Sequence, residues 1–185
     1  MLPDAETCHH VFAYGSLMWQ PGFEFLDARP AKLDGYHRRL NVQSFHYRGT
    51  LEQPGLVLGL EKGGVCEGVL YEIEPANWNS THVYLRKREL VTDIYHEVVL
   101  PVKRFASTEY INAMTYVVDP AHHQYAPHKN LKETISIVKQ GFGVSGSCED
   151  YVLNTIRHLR DLGIKDQEIE LLAPYLKHSS SVTQR

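Results

Sequence analysis

Apolar residues occur in short dense runs over the first two thirds of the chain and at helical spacing over the last third. Val11-Phe12-Ala13-Tyr14 is a β-rich run that empties into Gly15-Ser16, the pattern of a strand giving way to a loop. Two short apolar stretches follow, over residues 36–42 and 55–60. Gly63-Gly64 separates the second of them from Gly68-Val69-Leu70-Tyr71-Glu72-Ile73, a spacing that predicts a hairpin. Asn79 or Ser80 is placed to cap a short helix running through Glu89 and Leu90. Further strands are predicted around residues 97–102 and 111–118, the latter stopped by Asp119-Pro120.

From Asn130 the period changes. Residues 131–140 and 149–162 have helical spacing, and in the second segment Tyr151, Val152, Leu153, Ile156 and Leu159 form a wide apolar stripe that Gly163 can end. Asp166 opens another segment through Leu176, broken by Pro174, and residues 179–185 read as a frayed tail. Strands first and helices last is the α+β pattern, here a strongly curved sheet or small barrel with helices on one side. There is no repeat and no Pro- or Ser-rich linker, so the 185 residues are expected to form a single domain with a core over about 10–176.

Composition narrows the class. With 43% hydrophobic and 22% charged residues the chain is an ordinary globular one, not a disordered, collagenous or coiled-coil protein. Nineteen Lys+Arg against 22 Asp+Glu leave a net charge of −3 and no broad basic field to draw in nucleic acid or an anionic membrane. No apolar run approaches a membrane span, and the acidic start MLPDAET is unlike a signal peptide. Cys8, Cys66 and Cys148 are odd in number and widely spaced, which fits neither a disulfide framework nor a CxxC motif. The expectation is a soluble protein of the reducing cytoplasm; oligomeric state is not legible.

Two places are suited to chemistry. At Tyr14-Gly15-Ser16-Leu17, consecutive backbone N–H groups can converge into an anion-binding nest with Ser16 adding a hydroxyl; alternatively, Gly15 merely supplies the positive φ of a tight turn. Glu89, in Val83-Tyr84-Leu85-Arg86-Lys87-Arg88-Glu89-Leu90, shares a helix face with Leu85. On the inner side of the helix it would be desolvated and its pKa raised toward that of a general base; on the outer side it is a solvated acid among three cations, of which Arg88 points about 100° away. Cys8-His9-His10 and the His122, His123, His128 group lack metal-ligand spacing, and adjacent Cys8 and His9 on a strand face opposite ways. The same alternation lets at most one of Arg38 and Arg39 face a given pocket; Arg48 is a further anion-binding candidate or a solvated strand end. Gly141-Phe142-Gly143-Val144-Ser145-Gly146 is neither a P-loop nor a GxGxxG fingerprint and reads as a flexible loop.

In order along the chain, these segments resemble the ChaC branch of the γ-glutamylcyclotransferases. Val11-Phe12-Ala13-Tyr14-Gly15-Ser16-Leu17-Met18-Trp19 looks like its YGSL-W signature, with Ala13 where a Gly is common. Arg38-Arg39-Leu40, Ser44 with Arg48-Gly49-Thr50, the runs over 54–60 and 64–69, Tyr84-Leu85 with Arg88-Glu89, Asp119-Pro120 with His123-Gln124-Tyr125, and Ser145-Gly146 ahead of Tyr151 follow in the family's order. The resemblance implies the γ-glutamylcyclotransferase-like fold and conversion of glutathione to 5-oxoproline and cysteinylglycine. It also implies a catalytic role for Glu89, and substrate binding by Val11, Phe12, Ala13, Tyr14, Gly15, Ser16, Leu17 and Tyr151. No metal or cofactor is implied, since the γ-glutamyl α-amine is itself the nucleophile. Other readings remain open: a cyclotransferase for other γ-glutamyl amines or amino acids, a non-catalytic γ-glutamyl-binding module, or a metal-dependent hydrolase built on the histidines.

Overall fold

The computed structural model describes residues 8–105, 107–127 and 129–177. The expected frayed tail, His128 and the acidic N-terminal residues lie outside the described residues. The chain divides into two compact units, Met1–Arg39 with Gly59–His123, and Leu40–Leu58 with Gln124–Arg185.

Five strands close into a barrel in the order β1-β3-β2-β4-β5: β1 (His10–Ala13), β2 (Asp27–Ser44), β3 (Gly55–Glu72), β4 (Tyr95–Arg104) and β5 (Tyr110–Val118). The expected α+β class with a small barrel is therefore what forms. Within the first unit, β1 pairs antiparallel with β3, His10 opposite Glu72 through Ala13 opposite Val69, and parallel with β5 at Val11 and Met114. β4 and β5 form a long antiparallel ladder from Tyr95 opposite Val118 to Lys103 opposite Tyr110. Both faces of β1 are covered, which is why it reads as a continuous apolar run: Val11, Phe12 and Ala13 are all buried.

Two sequence expectations fail in this unit. The hairpin at Gly63-Gly64 does not form; β3 runs unbroken from Gly55 to Glu72. Both glycines sit at positive φ, 119° and 63°, so they bend the strand instead of reversing it, and His37 Nδ1 lies 2.9 Å from the Gly63 carbonyl at that bend. β3 has β1 on one edge and β2 on the other, so the apolar stretch at 68–73 does not pair with residues 55–60 of the same strand. Likewise, the stretch at 36–42 is only part of an 18-residue strand whose first residues, Asp27 to Pro30, are polar or exposed and carry no apolar signal.

The helix that carries Glu89, α1 (Trp78–Glu89), starts before the expected caps. Pro75, whose ring presets φ, opens a 3₁₀ turn (Pro75–Asn77), and Asn77 takes the cap position without a side-chain bond. Ser80 lies inside the first turn and donates to the Asn77 carbonyl at 2.8 Å. Buried Trp78, Thr81 and Leu85 fix which face of α1 turns inward.

In the second unit, α2 (Leu131–Gln140) forms where the period predicts, with an Asn130–Glu133 capping box. The glycine-rich segment is not a loose loop: β6 (Phe142–Gly143) and β7 (Gly146–Ser147) pair, and Val144 and Ser145 donate backbone bonds to His46 and Tyr47. Ser147 then caps α3 (Cys148–Asp161), whose stripe of Tyr151, Val152, Ile156 and Leu159 is buried, with Thr155 in the place expected of Leu153. Gly163 follows the helix end as anticipated, its N–H on the Arg160 carbonyl. Asp166 caps α4 (Gln167–Glu170), and Pro174 sits in a closing 3₁₀ turn. Among the described residues, no helix is long and apolar enough to cross a membrane.

Candidate active site

The segment after β1 is held from behind by its carbonyls. Arg38, buried on β2, donates to the Tyr14 carbonyl and to that of Glu67. Tyr71 Oη, on β3, lies 3.1 Å from the Leu17 carbonyl and 3.0 Å from that of Met18, and burial pushes its phenol up to about 12. Ser16–Met18 is a single 3₁₀ turn, closed by Met18 N–H on the Gly15 carbonyl at 2.9 Å. The first N–H groups of such a turn have no partner within it; the carbonyls are taken, that of Gly15 by Met18, that of Ser16 by Trp19 and Gln20, and that of Leu17 by Tyr71. Gly15 has φ −125°, so the positive-φ turn expected as its plain explanation is absent. Val11, Phe12 and Ala13 lie in the strand itself. Their side chains are buried, and the Phe12 carbonyl accepts from Thr115 Oγ1 at 3.0 Å, so any contact they make with a ligand runs through backbone.

Glu89 is the last residue of α1, one turn after fully buried Leu85, and its side chain is only 20% exposed. Desolvation pushes its carboxyl above the ordinary range, while the Arg88 guanidinium pulls the other way. Here the expectation that Arg88 points away is overturned: its Nε lies 3.2 Å from Glu89 Oε1, because a long side chain curls back along the helix end. Lys87 is exposed, and Arg86 is turned to Glu97 at 3.0 Å.

Glu97, on β4, is a second half-buried carboxylate. Besides Arg86 it meets His82 Nε2 at 2.9 Å and accepts from Tyr116 Oη at 3.1 Å. His82 stacks on Trp78 with ring centroids 5.7 Å apart. Tyr116, on β5, has its phenol raised by burial first, and then by the negative charges of Glu97 and Glu89. Tyr71, Tyr116 and Glu97 were not singled out from sequence. Each sits in a strand with no local motif, and only the barrel's long-range pairing reveals its neighbours.

The remaining candidates sort by their contacts. Arg39 pairs with Glu61 at 3.0 Å while Arg38 is buried on the opposite side, as strand alternation requires. Cys8 donates to the Asn112 carbonyl at 3.1 Å and burial raises its thiol pKa, while His9 packs edgewise on Trp78; they form no nucleophile–base pair. Among the described residues, no group of three or more His, Cys, Asp or Glu side chains gathers in a way that would hold a metal ion. Arg48 donates to the Ser145 and Ser147 carbonyls, and its guanidinium lies 5.5 Å from the Tyr151 ring centre.

Tyr151 Oη accepts from the Leu58 backbone N–H at 3.2 Å, and its ring is 9% exposed. The polar handle therefore has a structural task as well as any contact with a ligand. Tyr151→Phe is expected to strand that buried donor and lower stability by about 1–3 kcal/mol, read as a fall in Tm. A change in kcat/KM beyond what Tm explains would mark a role toward substrate; unchanged Tm would disprove the bond's importance.

Comparison with known proteins places the chain. The model of the family described as ChaC-like protein matches residues 9–179. A relative from Escherichia coli (strain K12) named glutathione-specific gamma-glutamylcyclotransferase is 29% identical over 167 residues, covering 90% of this chain and 72% of its own. Gamma-glutamylcyclotransferase 2-3 of Arabidopsis thaliana is 30% identical over 181 residues, covering 94% and 91%. The crystal structure of a gamma-glutamyl cyclotransferase specific to glutathione from yeast shares the fold at TM-score 0.78 and 21% identity, over 90% of this chain and 96% of that one. The match of nearly the whole chain to one family's pattern, carried on the fold of a solved cyclotransferase, makes this protein a member of the ChaC-like family.

Proposed function

We propose that the chain is a glutathione-specific γ-glutamylcyclotransferase of the cytoplasm, acting as a single domain whose core spans about residues 10–176. The observation that carries the reading is Glu89: a carboxylate desolvated at the end of α1 and tied through Arg88 to the turn that begins at Ser16. Family membership and the names of the relatives support the activity; the arrangement of residues supports the route.

The chemistry asks little beyond placement and proton transfer. The γ-glutamyl α-amine attacks the γ-carbonyl carbon, closing the five-membered lactam, and the bond from that carbon to the cysteine nitrogen breaks. A folded substrate conformer makes this attack effectively unimolecular, an advantage of several kcal/mol. Glu89 takes the proton from the amine and returns it to the departing nitrogen, two jobs that suit a carboxyl raised toward neutrality. The N–H groups of Gly15, Ser16 and Leu17 anchor the γ-glutamyl end by its α-carboxylate or bind the developing oxyanion. Tyr151 is carried over from the family as a further substrate residue.

Release of 5-oxoproline should be measured on glutathione, γ-glutamyl-alanine and γ-glutamyl-lysine, each with and without chelator. Glutathione should be turned over, and chelation should leave the rate unchanged, because the substrate brings its own nucleophile. Preference for another γ-glutamyl compound would revise the substrate, binding without turnover would leave a binding module, and chelator-abolished activity would favour the metal hydrolase.

A further inference from the structure

Arg88 makes more contacts than its neighbours and reaches further. Its Nε lies 3.2 Å from Glu89 Oε1, and its Nη2 donates to Ser16 Oγ at 3.0 Å. Its Nη1 faces the Gln20 carbonyl at 2.6 Å, the Pro21 carbonyl at 3.3 Å and Tyr84 Oη at 2.9 Å. One guanidinium thus meets the last residue of α1, the first residue of the 3₁₀ turn and the chain beyond that turn. Only a planar fork with five donors can do this; an ammonium cannot span the same directions. The path of the loop is shaped to allow it. Gly22 sits at φ 74° against the Tyr84 phenol, where a Cβ would collide with the ring and displace the hydroxyl that Arg88 meets. Phe23 then packs edgewise against both Tyr71 and Tyr84.

We propose that Arg88 is a positioning residue that clamps the Ser16–Pro21 segment to the C-terminal end of α1, setting the reach between Glu89 and the donors of the turn and holding Glu89 ready to accept a proton. The proposal rests on the cyclotransferase reading for its catalytic half; the clamp itself rests on the contacts alone. Among the described residues, Glu89 interacts electrostatically with Arg88 of its own helix and with Tyr116 of β5, whose phenol donates to Glu97 of β4. Arg86 spends its charge on Glu97. Arg88 is therefore the cation that opposes desolvation at Glu89, and removing it moves the carboxyl further up.

The test compares Arg88→Met, Arg88→Lys and the exposed control Lys87→Met. In Arg88→Met, kcat/KM for glutathione should fall by about tenfold or more and the acid limb of its pH profile should move to higher pH. The amides of Met18 and Gln20, which close the turn, should exchange faster with solvent. Arg88→Lys should restore the acid limb, because it keeps a charge, but not the slow exchange, because it lacks the fork. Lys87→Met should match the parent throughout. A folded Arg88→Met with parent kcat/KM and acid limb overturns the proposal, as does full rescue by lysine or an equal effect from Lys87→Met. Should Arg88→Met not fold, parent-like exchange of Met18 and Gln20 in Arg88→Lys has the same force. If the parent chain releases no 5-oxoproline, the cyclotransferase reading fails on its own. Amide exchange and an NMR titration of the Glu89 carboxyl then decide the clamp without turnover.

Discussion

Glu89→Gln should release 5-oxoproline from glutathione about 10²-fold more slowly than the parent chain, or worse, while melting at no lower temperature. Glutamine keeps the size of the side chain and an oxygen to face Arg88 Nε, so the pair at the end of α1 survives; what is lost is the basicity. Stability supplies an independent check on the sign. Burial raises the Glu89 carboxyl above its value in the unfolded chain, so folding favours the protonated form. The wild-type side chain is then most stabilising below its unfolded pKa, and it loses that contribution as pH rises through the folded value. The neutral variant has no such loss. Its Tm should match or exceed the parent's at neutral pH, and the advantage should shrink as the pH falls toward the carboxylate range. The parent's kcat/KM should in turn decline on the acid side with a limb above the ordinary Glu value of about 4.3. Near-normal turnover by a folded Glu89→Gln protein would remove Glu89 from the mechanism.

The parts of this molecule that could be read from sequence are those whose signals are local. The β1 run and its end at Gly15, the helix that carries Glu89, and α2 and α3 with their caps and stripes all express a period or a punctuation mark within about ten residues. Signals failed where a residue's partner lies far along the chain. Gly63-Gly64 is the local pattern of a reversal, yet the strand continues, with β1, about 60 residues earlier, on one edge and β2 on the other. Arg88 shows the limit for side chains. Backbone spacing puts its Cβ well around the helix from Glu89, but a side chain with four rotatable bonds goes where hydrogen-bond acceptors are, and those lie at Ser16, Gln20 and Pro21. The role of Arg38 was legible only as an either-or between it and Arg39. Its actual work, fixing the Tyr14 carbonyl, needed the barrel to bring a side chain of β2, one strand beyond β3, within reach of the end of β1.

Gly15→Val should separate the plain turn from the ligand-binding segment, with a loss of about 10–10²-fold in kcat/KM and only a small change in Tm. Gly15 has φ −125°, outside the left-handed region, so a positive φ is not what requires glycine here. The turn that follows depends on Met18 N–H meeting the Gly15 carbonyl, a backbone bond that valine retains. The anchors behind the segment, Arg38 on Tyr14 and Tyr71 on Leu17 and Met18, meet carbonyls of other residues, not that of Gly15. On the proposed reading, the methine and two methyls that valine adds crowd the backbone where the γ-glutamyl end approaches the N–H groups of this turn. A weakened anchor for the γ-glutamyl end appears first as a raised KM, and as a lowered kcat to the extent that the oxyanion shares the same donors. The measurement is therefore a KM-against-kcat split on glutathione beside a melt. A lost cooperative melt would return Gly15 to a structural role. Parent KM and kcat in a stable Gly15→Val protein would mean that substrate approaches from elsewhere and that the donors of Gly15, Ser16 and Leu17 face only water.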